Sequence, residues 1–304
     1  MTRLTRRNFL HTASASLIYG SLASRIGRAH ASPFGLPIGL QLYSVREMLA
    51  KDYEGTLRQI AALGYKEVEA AGFYDHSPQA VKQALDAANL KLIGAHYNYT
   101  ILSKSLDETI AFNQQLGSTY IICSFPGFRD PSRLNDNSFA NQVRSFTLDD
   151  YHFNAAQFNI IGAKVAKAGM KFGYHNHTME FAPQNGVVPF EELLRLTDPA
   201  LVTFEMDCGW VMVGGGDPAS YLHRYPSRIS MLHVKDFKHT DAPASVAAPP
   251  PPAELGRGTM DYAPIFAAAK RSNIKHSFVE QEGFDMPPLE ALKIDADYMK
   301  GLKA

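Results

Sequence analysis

The sequence predicts an α/β fold, a single closed (β/α)8 barrel, on the basis of three observations. Its 304 residues are 45% hydrophobic and 20% charged, which is typical of a globular protein with one large core. From residue 38 onward, short β-branched or apolar runs alternate eight times with segments of helical periodicity. No second regime of composition follows to indicate another domain. An open, doubly wound sheet is the alternative, but eight units of about 250 residues in total favour closure.

The predicted strands are the short apolar runs, and the segments between them have the residue spacing of amphipathic helices. In the first helix, Tyr53, Leu57 and Ile60 recur at helical spacing, and Gly64 follows as a stop signal. The strands are predicted at residues 38–44, 67–71, 91–97, 119–124, 171–176, 202–207, 229–235 and 277–282.

The first 31 residues have the features of an export signal. Arg6 and Arg7 precede a mildly apolar run that extends to Tyr19, and Ala29-His30-Ala31 follows as a small-x-small cleavage site. This order is typical of a twin-arginine signal peptide and favours it over a basic amphipathic helix. We therefore predict a signal peptide at 1–31 and one barrel domain at 32–304, with the twin-arginine (Tat) translocase as a transient partner and the periplasm as destination. The apolar run is too short for a stable membrane anchor.

Charge and cysteine content narrow the function further. The leader holds five arginines and no acidic residue, so the mature chain has 25 basic and 30 acidic residues, a charge of about −5. A nucleic-acid partner would favour the opposite sign, so no nucleic-acid partner is expected. Cys123 falls within a predicted strand and Cys208 directly after one. Both are interpreted as buried thiols, with a disulfide as the alternative.

Two connections are long for this fold, and both follow strands, which places them on the catalytic rim. Residues 125–147 open with Phe125-Pro126-Gly127-Phe128, a turn signal flanked by aromatic rings, and we predict a lid there. Residues 238–259 carry Pro249-Pro250-Pro251-Pro252, which we interpret as a stiff, solvated excursion.

The ends of strands five to eight are unusually polar. His175, Asp207, His233 and Glu280 each lie at one of these ends, which meet at one rim of a barrel. Two imidazoles and two carboxylates are a plausible ligand set for one divalent metal ion, with Mn, Co, Zn or Fe favoured over Mg. The alternative, a lone polar residue at each strand end, is disfavoured because buried charge without a partner is costly.

Several short motifs extend over nearly the whole mature chain. They are GLQLYSVR at 39–46, GYHNH at 173–177 with Glu180 and Phe181, DCGW at 207–210, LHVKD at 232–236 and VEQ at 279–281. In combination they resemble the xylose-isomerase-like sugar phosphate isomerase/epimerase family. The resemblance implies a TIM barrel and a metal-dependent enzyme acting on a small-molecule sugar.

The family's metal ligands are Glu, Asp, His and Glu on strands five to eight, and the last three correspond to Asp207, His233 and Glu280. The first falls on His175, so Glu180 is expected to supply a substitute carboxylate, as ligand or base. Epimerases of the family use two glutamates on opposite faces of the sugar. Branches with this His-Asn-His pattern resemble proteins that act on oxidised sugars, by hydration or β-elimination of 3-keto-glycosides.

Other residues receive substrate or proton-transfer roles. Glu280, Glu180 and His177 are the candidate catalytic acids and bases. Lys235 is expected either to stabilise an enolate oxygen or to pair with Asp236. The remaining candidates for substrate contact are Gln41, Arg46 and His96, the last with a satisfied buried histidine as its alternative.

The predicted function is that of a metal-dependent sugar isomerase or epimerase that moves a proton next to a sugar carbonyl. Three rivals remain: a lyase or hydratase acting on 3-keto-glycosides, a metal-dependent endonuclease of the wider superfamily, and a non-catalytic periplasmic sugar-binding protein. The acidic mature charge argues against the nuclease, and metal content would separate the binding protein from an enzyme.

Overall fold

A computed structural model describes residues 35–135 and 138–302 of the chain. Eight parallel strands form a closed barrel in which each strand pairs with its neighbours in sequence and the first pairs with the eighth, Gly39 opposite Phe278. The predicted (β/α)8 barrel is therefore confirmed. The barrel strands are Gly39–Gln41, Glu67–Ala70, Lys91–Asn98, Tyr120–Phe125, Lys171–His175, Val202–Asp207, Ile229–Val234 and His276–Val279.

Helices connect the strands and cover the barrel. Their starts are fixed by local caps, as at Asp52, whose side chain accepts the amide of Gly55, and their ends by residues such as Gly64 with φ 108°. The α-helices are Arg46–Leu49, Tyr53–Leu63, Pro78–Ala88, Tyr99–Leu116, Phe139–Ser145, Leu148–Lys167, Pro189–Leu196, Cys208–Val213, Pro218–Arg224, Tyr262–Ala269 and Pro288–Gly301. Short 3-10 helices lie at Leu42–Val45, Pro131–Asn135 and Met179–Phe181.

The barrel interior is layered along its axis. Ile93, Tyr120, Ile122, Met231 and Phe278 form a packed apolar layer separate from the larger core between strands and helices. Since side chains alternate between the two faces of a strand, residues two positions further along the same strands face inward at the carboxyl end. Two positions after Met231 and Phe278 stand the ionisable residues His233 and Glu280, so the apolar layer lies beneath them.

The two long connections behave differently from each other. The first contains a 3-10 helix and the helix Phe139–Ser145, and Phe128 stacks on Phe146 with ring centroids 4.2 Å apart. Phe125 and Phe139 line the cavity at the rim, in agreement with a covering role.

The second connection is not the solvated excursion that the proline run predicts. Pro252–Ala253 pairs antiparallel with Asp236–Phe237, and Pro250 is buried. Asp236 accepts the backbone amides of Gly256, Gly258 and Met260, which anchors the returning chain to strand seven. The proline run therefore lies against the rim, because a buried carboxylate holds the segment that follows it.

Cys123 and Cys208 are buried free thiols, as predicted. Among the residues that the structure describes, no helix has the length and hydropathy to cross a membrane. The predicted signal peptide at 1–31 lies outside the described residues, and export through the Tat translocase stays a prediction.

Candidate active site

The four predicted metal ligands meet at the carboxyl end of the barrel. His175 and Asp207 are the last residues of strands five and six, His233 lies in strand seven, and Glu280 directly follows strand eight. All four are buried, and one potential ligand atom from each lies within 4.8 Å of the others. His233 Nδ1 is 3.0 Å from Glu280 Oε2, and the nearest nitrogens of His175 and His233 are each 3.9 Å from Asp207 Oδ2.

A second group of ionisable residues lies deeper and shares both histidines. Glu205 Oε2 is 2.7 Å from His96 Nε2, 3.0 Å from His175 Nδ1 and 3.2 Å from His233 Nε2. Glu69 Oε2 is 2.9 Å from His233 Nε2 and 2.8 Å from His96 Nε2. Glu69 and Glu205 were not predicted as site residues. Each lies two positions from another acid that faces the barrel interior, Glu67 and Asp207 respectively, and alternate residues of a strand point to the same face.

Local hydrogen bonds hold the rim ligands in place. Asp207 uses Oδ1 to accept the backbone amide of Trp210 at 2.8 Å, which caps the helix Cys208–Val213. Asn176 accepts the amide of Asp207 at 3.1 Å and donates to its carbonyl at 3.3 Å, tying strand five to strand six. Asp207 Oδ2 is not used by the cap, and it lies buried with the ammonium group of Lys235 2.9 Å away.

Lys235 is the cation of the rim. Its Nζ lies 2.9 Å from Asp207 Oδ2, 2.7 Å from Glu280 Oε2 and 2.7 Å from Glu282 Oε1, and it sits 4.7 Å from the centre of the Trp210 ring. Burial alone would lower the pKa of Lys235, but the carboxylates of Asp207 and Glu280 raise it well above the usual range. The alternative salt bridge with Asp236 does not form, because that carboxylate is occupied by backbone amides.

The pKa values of the acidic residues follow from burial and from these cations. Burial raises the pKa of Asp207 to about 6, although Lys235 and His233 oppose the shift. Burial also tends to raise the pKa values of Glu205 and Glu280. The positive charges of His233 and His96 outweigh burial at Glu205, those of Lys235 and His233 outweigh it at Glu280, and both pKa values are held well below the usual range. Glu205 and Glu280 are therefore charged at neutral pH.

The histidines separate into two kinds. Burial would lower the pKa of His96 and His233, but contact with the carboxylates of Glu205 and its neighbours raises it, to about 9 for His96 and well above the usual value for His233. Burial and the neighbouring His233 lower the pKa of His175 to about 3, and burial with the charges of His175 and Lys235 lowers that of His177 well below 6.5. His175 and His177 are neutral imidazoles at physiological pH.

His177 has the position of a proton-transfer group, and Glu180 does not. His177 lines the cavity next to His175, and its Nδ1 is buried without a hydrogen-bond partner. Glu180 is fully buried behind strand five, where it accepts hydrogen bonds from the hydroxyl of Tyr174 and, at 3.0 Å, from the amide of His177. The prediction that Glu180 is a ligand or base is wrong, because the turn Met179–Phe181 directs it away from the cavity.

The three remaining residues predicted to contact substrate are Gln41, Arg46 and His96, and only His96 lines the cavity. Gln41 donates to Glu69 at 2.8 Å and accepts the amide of Tyr43 at 3.1 Å, so its amide is occupied and buried outside the cavity lining. Arg46 stacks on the ring of Tyr43 and donates to the carbonyl of Glu282, outside the cavity. His96 lines the cavity with its Nε2 close to the carboxylates of Glu69 and Glu205, and its contact with a substrate stays a prediction.

A cavity of about 470 Å³ opens directly above the ligand cluster. Its walls are largely aromatic, and its polar floor consists of His96, His175, His177, Glu280 and Glu282. In the described part of the chain, neither arginine nor lysine is among the residues that line it. The aromatic lining residues are Tyr43, Tyr97, Phe125, Phe139 and Trp210.

The donor set fits a divalent metal ion. His175, Asp207, His233 and Glu280 offer two imidazole nitrogens and two carboxylate oxygens that lie within 4.8 Å of one another, which is the donor chemistry of a transition-metal site. This buried cluster could therefore hold a metal.

Comparison with known proteins places the chain in a family. The model of the xylose isomerase-like TIM barrel family matches residues 57–302, and the chain belongs to that family. It is 27% identical over 197 residues to the inosose dehydratase of Lacticaseibacillus casei, covering 62% of this chain and 65% of that protein. The chain thus spans about 65% of the length of this curated relative.

Solved structures show the same architecture. A sugar phosphate isomerase/epimerase from Parabacteroides distasonis is 28% identical, with a TM-score of 0.69 over 87% of this chain and 97% of that one. A 3-keto-D-glucoside 4-epimerase from E. coli is 15% identical, with a TM-score of 0.64 over 88% of this chain and 100% of that one, a likeness of fold alone.

Proposed function

We propose that this protein is a metal-dependent lyase that removes the proton beside the carbonyl of an uncharged polyhydroxylated ketone and eliminates water or an alcohol from the next carbon. The observation that carries the proposal is the unequal pair above the cluster. Neutral His177 and charged Glu280 face the cavity, whereas Glu180 is turned away from it. The epimerases that this sequence resembles use glutamates on strands five and eight as their two bases, and His175 stands at the strand-five position here.

The proposed cofactor is one divalent transition metal, with Mn, Co, Zn or Fe favoured over Mg because imidazole is a poor ligand for Mg. His175, Asp207, His233 and Glu280 would hold it. A bound ion of this kind supplies Lewis-acid polarisation of the substrate carbonyl.

His177 is the proposed proton carrier. A neutral imidazole can take the proton from the carbon beside the carbonyl and return it to the departing oxygen, so that no proton is gained or lost over the elimination. Burial holds the pKa of His177 well below 6.5, so the ring is unprotonated at neutral pH. Lys235, held among three carboxylates, supplies a fixed positive charge beside the site at which negative charge develops on oxygen.

The cavity lining supports an uncharged substrate. A phosphate group is normally bound by Arg, Lys or backbone amides, and the lining offers neither Arg nor Lys. Aromatic rings and carboxylates are instead suited to the C–H faces and hydroxyls of a sugar. The name of the L. casei relative, inosose dehydratase, supports the elimination of water from a keto-polyol.

The test is a screen of keto-polyols, 3-keto-glycosides and free ketoses, with and without chelator, in which loss of water or aglycone is followed by mass spectrometry. The expected result is chelator-sensitive elimination from the first two classes. His177→Ala should keep its metal and lose about 10²- to 10⁴-fold in rate. The control His152→Ala, at an exposed histidine paired with Glu192, should retain full rate. Interconversion of free ketoses without elimination would instead identify an epimerase.

A further inference from the structure

We infer that Glu205, assisted by Glu69, is the positioning residue that orients both histidine ligands and makes them competent to bind the metal. The inference rests on the proposed metal centre but not on the reaction carried out there. Neither carboxylate is among the four rim ligands, and both lie one layer deeper in the barrel.

The imidazole rings of His175 and His233 each have carboxylates close to both of their nitrogens. His175 directs Nε2 towards Asp207 and Nδ1 towards Glu205 Oε2, at 3.0 Å. His233 directs Nδ1 towards Glu280 and Asp207, while its Nε2 lies 3.2 Å from Glu205 Oε2 and 2.9 Å from Glu69 Oε2. Each imidazole thus has one nitrogen at the rim and the other against a buried carboxylate.

This arrangement has a direct consequence for metal binding. A histidine ligand must be neutral, with its bare nitrogen towards the metal and its N–H donated elsewhere. A carboxylate that accepts this N–H fixes the tautomer, holds the ring and makes the bare nitrogen a better donor. Glu205 can do this for both rings at once, because a single oxygen lies within hydrogen-bonding distance of each.

His96 explains why two such carboxylates can remain buried. Its Nε2 lies 2.7 Å from Glu205 Oε2 and 2.8 Å from Glu69 Oε2, between the two acids. Gln41 donates a further hydrogen bond to Glu69 Oε2 at 2.8 Å. Oε2 of each acid is therefore held by three polar side chains, whereas Oε1 of each is buried without a hydrogen-bond partner. His96, His175, Glu205 and His233 are also a possible second ligand group, which the number of Co²⁺ ions bound distinguishes from a supporting role.

The opposite end of the barrel provides a matched control. Glu67 Oε2 lies 2.7 Å from His276 Nδ1, and Glu67 is also buried. This pair has the same chemistry as Glu205 and its histidines, but neither residue belongs to the candidate metal clusters of the described chain. A substitution at Glu67 reports the cost of losing a buried carboxylate without touching the metal site.

The experiment is Co²⁺ titration of the purified protein, followed by the visible absorption of the bound ion. The wild type should bind one equivalent. Glu205→Gln should weaken Co²⁺ binding roughly 10- to 100-fold and shift the absorption bands. Glu205→Asp, which keeps the charge, should recover part of the affinity, and Glu67→Gln should match the wild type in affinity and spectrum.

Unchanged affinity and spectrum in Glu205→Gln would overturn the inference. So would a second equivalent of Co²⁺ in the wild type that Glu205→Gln loses, because Glu205 would then be a ligand itself. If Glu205→Gln does not fold, Glu69→Gln removes one of the two carboxylates beside His233 Nε2, leaves Glu205 beside His175, and should weaken binding several-fold. A protein that binds Co²⁺ as expected but transforms no keto sugar contradicts the proposed function and leaves this inference intact.

Discussion

The two ends of the barrel interior contain the same kinds of side chain and arrange them differently. At the amino end, Glu67 Oε2 lies 2.7 Å from His276 Nδ1, and the ring of Tyr120 packs edge-on against the imidazole. At the carboxyl end, the carboxylates of Asp207 and Glu280 meet the rings of His175 and His233, so that one ligand atom of each lies within 4.8 Å of the others. A matched pair is complete in itself. Two carboxylates that converge with two imidazoles are instead an arrangement that a bound cation would complete.

The largest expected effect is a difference in metal binding between substitutions at the two ends of the barrel. His233→Ala should abolish binding of a stoichiometric transition metal and with it all activity, while the protein stays folded on its packed interior layer. His276→Ala should bind metal normally but lose about 1–3 kcal/mol of stability, because Glu67 is left buried and unpaired.

Metal analysis and thermal unfolding of both variants check this pair of expectations. Full metal occupancy in His233→Ala would remove His233 from the ligand set. Metal loss in His276→Ala would show that the two ends are not independent.

A smaller effect is expected at Asp295, a buried carboxyl that forms no close ion pair with any described residue. Asp295 accepts only the amide of Leu255 among the described contacts, and burial raises its pKa to about 7. Its folded pKa lies above the unfolded value of 3.8, so the side chain is favoured in its neutral form and costs stability as pH rises from about 4 to 7. This is the opposite of the lowered pKa of Glu205 and Glu280.

Asp295→Asn should therefore stabilise the protein at pH 8 by on the order of 2 kcal/mol, with a gain that shrinks towards pH 5. Urea unfolding at the two pH values measures the difference. Asp297→Asn, two residues further along the same helix and paired with Lys293 at the surface, is the control and should change stability by less than about 0.5 kcal/mol. A gain that is the same at both pH values would show that charge is not its cause.

Much of the fold could be predicted because short apolar runs indicate strands and apolar residues at helical spacing indicate the helices between them. Strand six was placed at the residues that form it, Val202–Asp207. Strand one ends three residues early, at Gln41, because that side chain accepts the amide of Tyr43 and starts a 3-10 helix. Such a cap depends on one side-chain rotamer, which periodicity does not report.

The candidate site was predictable where position alone decides the outcome. His175, Asp207, His233 and Glu280 were identified because strand ends of a barrel must converge. Glu69 was missed because an acid alternating with Val68 resembles a half-exposed strand until the barrel closes around it. Glu180 was misassigned because its direction is set by a turn and by the hydroxyl of Tyr174, a contact with no sequence signature.

The central claim is that the carboxyl end is a metal centre for proton removal followed by elimination, and proton NMR in heavy water tests it most directly. A 3-keto-glycoside and a keto-polyol would be followed with the metal-loaded protein, with and without chelator. The account predicts loss of the C–H signal beside the carbonyl together with release of water or aglycone, both abolished by chelator. Rapid, reversible interconversion of two intact ketoses, or turnover that chelator does not affect, would contradict it.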